Sequence, residues 1–218
     1  KIENPPVGSD PFLLLYTSGT TSNPKGVPLT YQNMMSNARV SVAEFEMTAD
    51  DRNLSAAPFS HLYGLFNLHV ALSAGATNVL LPAFSPPDLA KLVEQTKATT
   101  LFLGPAHATA MINAGLMEAH DFSSVRFSVF SGAACPAQMM EDYRAKIPGT
   151  VISQLWGMTE TAGATYCRYN DAADVPLRSA GRASPGDEVR VVSAEDGTPL
   201  PADTEGELQV RGCSGFPG

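Results

Sequence analysis

The chain is poor in cysteine and in positive charge, and it has no long apolar run. Each shortage removes a class of protein. Cys135, Cys167 and Cys213 are odd in number, widely spaced and never in a CxxC pair. That suits neither a disulfide scaffold nor a zinc site, and it fits a reduced, cytoplasmic chain. No window approaches the roughly eighteen uninterrupted apolar residues that a membrane-spanning helix needs, so no transmembrane segment is expected. The opening KIENPPVGSD lacks the charged-then-apolar order of a signal peptide. Fourteen Lys and Arg against 22 Asp and Glu leave a formal charge of −8. No basic cluster offsets it, which argues against a nucleic-acid partner; a polyphosphate would have to be held locally. There is no HExxH pair, no persuasive Ser-His-Asp spacing, no internal repeat and no low-complexity tract.

What is present is a chain of 218 residues, 44% hydrophobic and 17% charged, long enough to bury a substantial core. PFLLLYT (11–17) reads as a strand, and GVPLT (26–30) as a second extended piece after a glycine-hydroxyl loop. A helix should follow, with Thr30 as N-cap and Met34, Met35, Ala38, Val42 and Phe45 on its apolar side. Then strand-then-helix units begin at NLSAAPF (53–59), TNVLLP (77–82), ATTLFLG (98–104), VRFSVFSG (125–132) and TVISQLW (150–156). Ser85 and Pro86 make a good helix entry within that series. The order predicts an α/β fold with a mostly parallel sheet flanked by helices. Residues 187–212 change character and read as a β-hairpin around an acidic, turn-rich segment. We expect an α/β core over 1–178 and a small β segment over 179–218, with the boundary near 175–182.

In such a sheet, ligands bind beyond the carboxyl ends of the strands. The segments expected there are FSHLYG, GPAH, SGAAC and WGMTE, facing the loop YTSGTTSNPKG (16–26). In that loop Gly19 and Gly26 let backbone approach a ligand, Thr17, Ser18, Thr20, Thr21 and Ser22 offer hydroxyls, and Lys25 offers a point charge. It is not a Walker loop, because Pro24 precedes the lysine and no helix starts after it. It reads either as a mobile phosphate cover or as a solvated hairpin loop. In WGMTE, Glu160 is a hard oxygen ligand of the kind Mg²⁺ uses, or else the first turn of a helix capped by Thr159. SGAAC either lies against a flat ring or permits tight strand-helix packing. His61 reads as a site residue or as a satisfied loop histidine, and His107 is the weaker candidate.

Together these pieces resemble the adenylate-forming superfamily, which includes acyl-CoA synthetases, firefly luciferases and the adenylation domains of peptide synthetases. YTSGTTSNPKGV is similar to its phosphate loop, PFSHLYGL to its next motif, SGAAC to its adenine-binding turn and QLWGMTE to its aromatic-Gly-x-Thr-Glu motif. SAGRASPGDEVRVV and EGELQVRG match the segments that follow. The resemblance implies ATP-dependent activation of a carboxylate as an acyl-adenylate, then transfer to CoA. It implies that Thr17, Ser18, Gly19, Thr20, Thr21 and Lys25 hold the leaving β,γ-phosphates. Thr159 would bind the α-phosphate and Glu160 the Mg²⁺. Gly132, Ala133 and Ala134 would flank adenine, with Trp156 and Gly157 alongside. His61 would line the carboxylate's path, and Gly163 the acyl pocket. PFSHLYGL carries no Asp to pair with a substrate ammonium, so the acid is expected not to be an amino acid. PFSHLYGLF, GPAHATAMI and MTETAGATY are expected to line its pocket.

Two positions depart from the family pattern. Ser22 stands where a Gly is usual, and Trp156 where a Tyr is usual. The ribose-binding Asp motif would come just after Gly218, and the N-terminal subdomain and C-terminal lid domain are expected to lie outside this chain. Little turnover is expected of the chain alone. The alternative readings are a fold relative that loads a carrier protein, and a non-catalytic nucleotide-binding module.

Overall fold

The computed structural model describes residues 4–17 and 23–216. An antiparallel hairpin comes first, β1 (Pro11–Thr17) with β2 (Lys25–Thr30), and Thr17 stands directly opposite Lys25. Lys25 therefore opens a strand, as its sequence context implied. Ser18, Gly19, Thr20 and Thr21 lie outside the described residues.

Helix α1 (Tyr31–Glu44) follows at once. The Thr30 hydroxyl accepts the Asn33 N–H at 3.2 Å, while Asn33 Oδ1 accepts the Thr30 N–H at 3.0 Å. This reciprocal cap satisfies donors that a first helical turn leaves free. Met34, Ala38 and the following Phe45 are buried on the expected side.

The strand-helix series then runs β3 (Arg52–Ser55), α2 (Leu62–Ala74), β4 (Thr77–Val79), α3 (Pro86–Thr96) and β5 (Thr100–Leu103). It continues through α4 (Pro105–Asn113), α5 (Leu116–Ala119), β6 (Phe127–Phe130), α6 (Ala137–Lys146) and β7 (Val151–Met158). Ser85 caps α3 through the Asp88 N–H, with proline in its first turn. Strands β4, β3, β5, β6 and β7 are neighbours in that order and all parallel.

The fifth expected unit is different. The chain turns back after β7 as β8 (Ala162–Tyr166), antiparallel to it, where a helix was expected. After a single-turn α7 (Val175–Arg178), the short β9 (Arg182–Ala183) pairs with β8 and completes a seven-stranded sheet. The reversal is local in origin: Ala162 takes a left-handed φ of 50°, and the β7–β8 register slips between Trp156 and Gly157. The tail is the antiparallel pair β10 (Asp187–Val192) and β11 (Glu207–Gly212), as the alternation predicts.

Both faces of the parallel sheet are covered, which is why β5 and β6 are buried along their whole length. Helices α1 and α2 cover one face, where Phe45, Phe66 and Val70 meet Phe102, Phe127 and Leu155. Helices α3 to α6 cover the other, where Leu89, Met111 and Tyr143 meet Leu101, Phe130 and Ile152. Among the described residues no helix is long and apolar enough to cross a membrane.

Candidate active site

A cavity of about 540 Å³ opens beyond the carboxyl ends of the strands. Thr17 and Lys25 reach it from the first hairpin, and His61, Leu62, Tyr63 and Phe66 from the start of α2. Ser131 and Gly132 come from the turn after β6. Leu155, Gly157, Met158, Thr159, Glu160, Ala162 and Gly163 come from the end of β7, the turn and the start of β8. Residues scattered over most of the sequence thus share one wall. Of the expected site residues, Thr17, Lys25, His61, Gly132, Gly157, Thr159, Glu160 and Gly163 line it.

Others do not. Ala133 and Ala134 are exposed on the turn after Gly132, next to the cavity but outside its lining. Trp156 is half-buried on β7 and, by strand alternation, points to the opposite face from Leu155. The segment GPAHATAMI also lies away from the cavity, because α4 packs on the other face of the sheet. There His107 stacks on Phe84 with ring centroids 4.2 Å apart, and its Nδ1 accepts the Gly104 N–H at 3.0 Å. Burial lowers the pKa of that imidazole.

The β7–β8 turn is built to hold two functional side chains in a short space. The Thr161 N–H donates to the Met158 carbonyl at 3.1 Å, closing a turn that leaves Thr159 and Glu160 at its tip. A Cβ on Gly157 would overlap the Ala162 carbonyl oxygen, so only glycine allows the two strands to meet there. Gly132 is fixed for another reason: space around it is open, but its φ of 89° belongs to the left-handed region.

His61 has a double duty. It is the N-cap of α2, with Nδ1 accepting the Tyr63 N–H at 3.1 Å. Tyr63 in turn is buried, and its hydroxyl donates to the Val129 carbonyl at 2.8 Å, tying α2 to the end of β6. Burial, ahead of the charge of a Cys135 thiolate, pushes the Tyr63 phenol well above its usual range. It is a neutral donor at all ordinary pH values.

Electrostatically the site is simple. Lys25 and Glu160 are the charged lining residues, and neither has an ion-pair partner among the described residues. Ion pairs do form elsewhere among the described residues, such as Arg126 with Asp51 and Arg182 with Asp171, so the lack of described partners here is local. Among the described residues no three His, Cys, Asp or Glu side chains cluster as a metal cage. Glu160 is the lining carboxylate, with the Thr159 hydroxyl beside it. A hard cation there would have to share its ligands with water and a bound phosphate, which is the coordination Mg²⁺ prefers.

The family profile described as "AMP-binding enzyme" matches residues 1–218, the whole chain. The chain belongs to that family. An indoleacetate–CoA ligase from Aromatoleum aromaticum is 37% identical over 212 residues, covering 96% of this chain and 41% of the relative. The 4-coumarate–CoA ligase-like protein 9 from Arabidopsis thaliana is 32% identical over 207 residues, covering 94% of this chain and 37% of its own. In structure, ATP-bound MatB from Rhodopseudomonas palustris superposes with a TM-score of 0.89 at 31% identity, over 98% of this chain and 42% of that one. The chain therefore spans about two fifths of the length of the family members it matches.

The sequence reading missed the parts of the site that lie in packing. Leu155 lines the cavity from a strand end that read as apolar core, whereas Ser131 belongs to the SGAAC turn expected at the site. Ala162 belongs to MTETAGATY, which was expected at the pocket, but it sits in β8, a strand without the β-branched residues that would announce one apart from Thr165.

Proposed function

We propose that this site joins a carboxylic acid to the α-phosphate of ATP as an acyl-adenylate, and that the acyl group then passes to the thiol of CoA. The observation that carries the reading is that two opposite charges, Lys25 and Glu160, neither of them ion-paired among the described residues, line one cavity together with apolar Leu62, Phe66, Leu155 and Ala162. A cavity that only buried an apolar ligand would have no use for either charge.

In the first step an oxygen of the acid forms a bond to the α-phosphorus, and the bond to pyrophosphate breaks. Negative charge spreads over phosphate oxygens, so positioned donors and cations do most of the catalytic work. Lys25 and the Thr17 hydroxyl are assigned to the departing β,γ-phosphates. Ser18, Gly19, Thr20 and Thr21 join them through the resemblance of their motif. Thr159 is assigned to the α-phosphate, and Glu160 to Mg²⁺. When bound, Mg²⁺ neutralises charge on the phosphate oxygens. Because His61 Nδ1 already accepts a backbone N–H, the ring proton of the neutral imidazole sits on Nε2. That N–H is assigned to the entering carboxylate. Gly132, Ala133 and Ala134 form the surface assigned to adenine, with Gly157 beside it and Trp156 framing β7 from behind. In the second step the CoA sulfur bonds to the acyl carbon and AMP leaves.

Tyr63, Phe66, Leu155, Ala162 and Gly163 give the acyl arm an uncharged surroundings. A second carboxylate buried there without a partner would cost several kcal/mol. The acid is therefore one with an uncharged tail. Relatives named for indoleacetate, 4-coumarate and ferulate favour a flat, aromatic one. We place the chain in the cytoplasm, since Cys135, Cys167 and Cys213 are all free thiols.

The test is acid-dependent exchange of labelled pyrophosphate into ATP by the protein that carries this chain. Exchange that requires an aromatic monocarboxylic acid supports the reading. Nucleotide binding without exchange for any acid would favour a binding module and overturn it.

A further inference from the structure

Helix α1 contributes no residue to the cavity lining, yet one of its faces holds the turn that carries Thr159 and Glu160. Asn37 is 1% exposed and meets Gly163 with both ends of its amide. Its Oδ1 accepts the Gly163 N–H at 3.1 Å, and its Nδ2 donates to the Gly163 carbonyl at 3.0 Å. A primary amide has the donor and acceptor of a peptide group, so Asn37 acts as one residue of a missing strand. It does so where the sheet needs it. On β8 the Ser184 N–H reaches the Ala164 carbonyl and β9 pairs with Thr165 and Tyr166, while Gly163 is the register partner of Gly157 next to the point where the β7–β8 register slips.

Asn37 is itself held from behind, since Nδ2 also donates to Ser184 Oγ at 3.2 Å and Ser41 and Tyr166 continue that buried network. One helical turn earlier, Asn33 Nδ2 donates to the carbonyls of Cys213 and Gly215 at 3.0 and 2.7 Å. The next residue, Phe216, donates its N–H to the Glu160 carbonyl at 2.8 Å. The two asparagines thus fix both flanks of the β7–β8 turn.

We propose that Asn37 is a positioning residue for the acyl end of the site, holding the Gly163 main chain as the cavity floor. The proposal rests on the adenylate reading given above for what the cavity takes. Gly163 has Leu155 Cδ1, Asn37 Oδ1 and Phe66 Cζ at 3.2, 3.3 and 3.5 Å from where a Cβ would stand. The floor is already in contact with its surroundings, so a small shift of Gly163 changes the space for the acyl arm directly. At the nucleotide end, Lys25 belongs to the first hairpin and Gly132 to the turn after β6, and the Asn37 amide bonds to neither.

Three variants separate positioning from mere stability. Asn37→Ala removes both bonds to Gly163. Asn37→Asp keeps the acceptor and loses the donor. Asp51→Asn, at the opposite end of the sheet, serves as a control for general destabilisation. Amide exchange at Gly163 is read by NMR in the free chain, and affinities are read for AMP and for an aryl-acyl sulfamoyl adenosine, which mimics the adenylate. In Asn37→Ala, Gly163 protection should fall at least about tenfold, and analogue affinity should fall about tenfold with AMP affinity kept within about twofold. Asn37→Asp should fall between, and Asp51→Asn should move neither. Equal weakening of AMP and analogue, or Gly163 protection unchanged in Asn37→Ala, would overturn the proposal. If the unmodified chain binds neither ligand, the adenylate reading fails for this chain, and the exchange rate of Gly163 still decides whether Asn37 holds the floor.

Discussion

His61 Nδ1 accepts the Tyr63 N–H with 3.1 Å between the nitrogens, so one imidazole both starts α2 and lines the cavity. The two duties can be separated by substitution. Asn caps helices as well as any residue, whereas Ala removes a cap at a cost of about 1 kcal/mol. His61→Asn should therefore keep the wild-type melting temperature and still lose acid-dependent pyrophosphate exchange, while His61→Ala loses both. Full exchange activity in His61→Asn would reduce the histidine to a helix cap.

Gly157 and Gly132 both line the cavity, but they answer to different constraints. At Gly157 a methyl group would meet the Ala162 carbonyl, so Gly157→Ala forces the strands apart and should destabilise by about 1–3 kcal/mol, as overpacking does. At Gly132 the space is open and only φ resists, so Gly132→Ala should cost about 1–2 kcal/mol. Urea unfolding of the two variants measures both. Gly157→Ala should also displace Thr159 and Glu160 and abolish exchange activity.

Much of the fold was legible because local chemistry and global structure agree in it. Thr30 and Ser85 announce helix starts, and apolar runs such as LFL and FSVF announce strands buried on both faces. The charged and hydroxyl groups of the site were legible for the same reason: Lys25, His61, Thr159 and Glu160 stand at ends of elements. The turn of the chain after β7 was not. AGATY has weak strand propensity, and its backbone is held by β7, by β9 and by the Asn37 amide, of which only β7 is near in sequence. Asn33 and Asn37 were equally hidden, since an asparagine within a helix pattern ordinarily faces water. Helix α4 was expected at the cavity because its strand ends there, but the helix itself leaves for the other face of the sheet.

At the amino ends of the strands, Arg126 donates to Asp51 from Nη2 at 2.6 Å and from Nε at 2.9 Å. Burial alone would raise the Asp51 pKa. Hydrogen bonds from Arg126, Thr99 and Thr48 outweigh it and hold the carboxyl below its ordinary 3.8. The folded state therefore binds this proton less readily than the unfolded one. Its contribution to stability is complete above about pH 4 and is lost as pH falls through the folded value. Thermal melts from pH 7 down to pH 2 should show that loss in the wild type. Asp51→Asn should melt lower at pH 7 and depend less on acid. An unchanged acid profile in the variant would remove Asp51 from the account.

Burial pushes the Cys135 thiol up to about 11. At pH 8 its thiolate fraction is then on the order of one in a thousand, and the thiolate is the species that alkylates. Iodoacetamide should label Cys135 slowly in the folded chain and rapidly in urea, with mass spectrometry reporting the site. Rapid labelling of the folded chain at pH 8 would show that the thiol is more open than its packing implies.

The most direct test of the central claim is calorimetric titration of the chain with Mg·ATP and with the aryl-acyl sulfamoyl adenosine, using Lys25→Ala beside the wild type. The analogue lacks the β,γ-phosphates assigned to Lys25. Lys25→Ala should weaken ATP about tenfold, the scale of one charge-assisted contact, and leave the analogue within about twofold. An equal loss for both ligands, or unchanged ATP affinity, would contradict the assignment of Lys25 to the leaving phosphates and with it the adenylate-forming reading of the cavity.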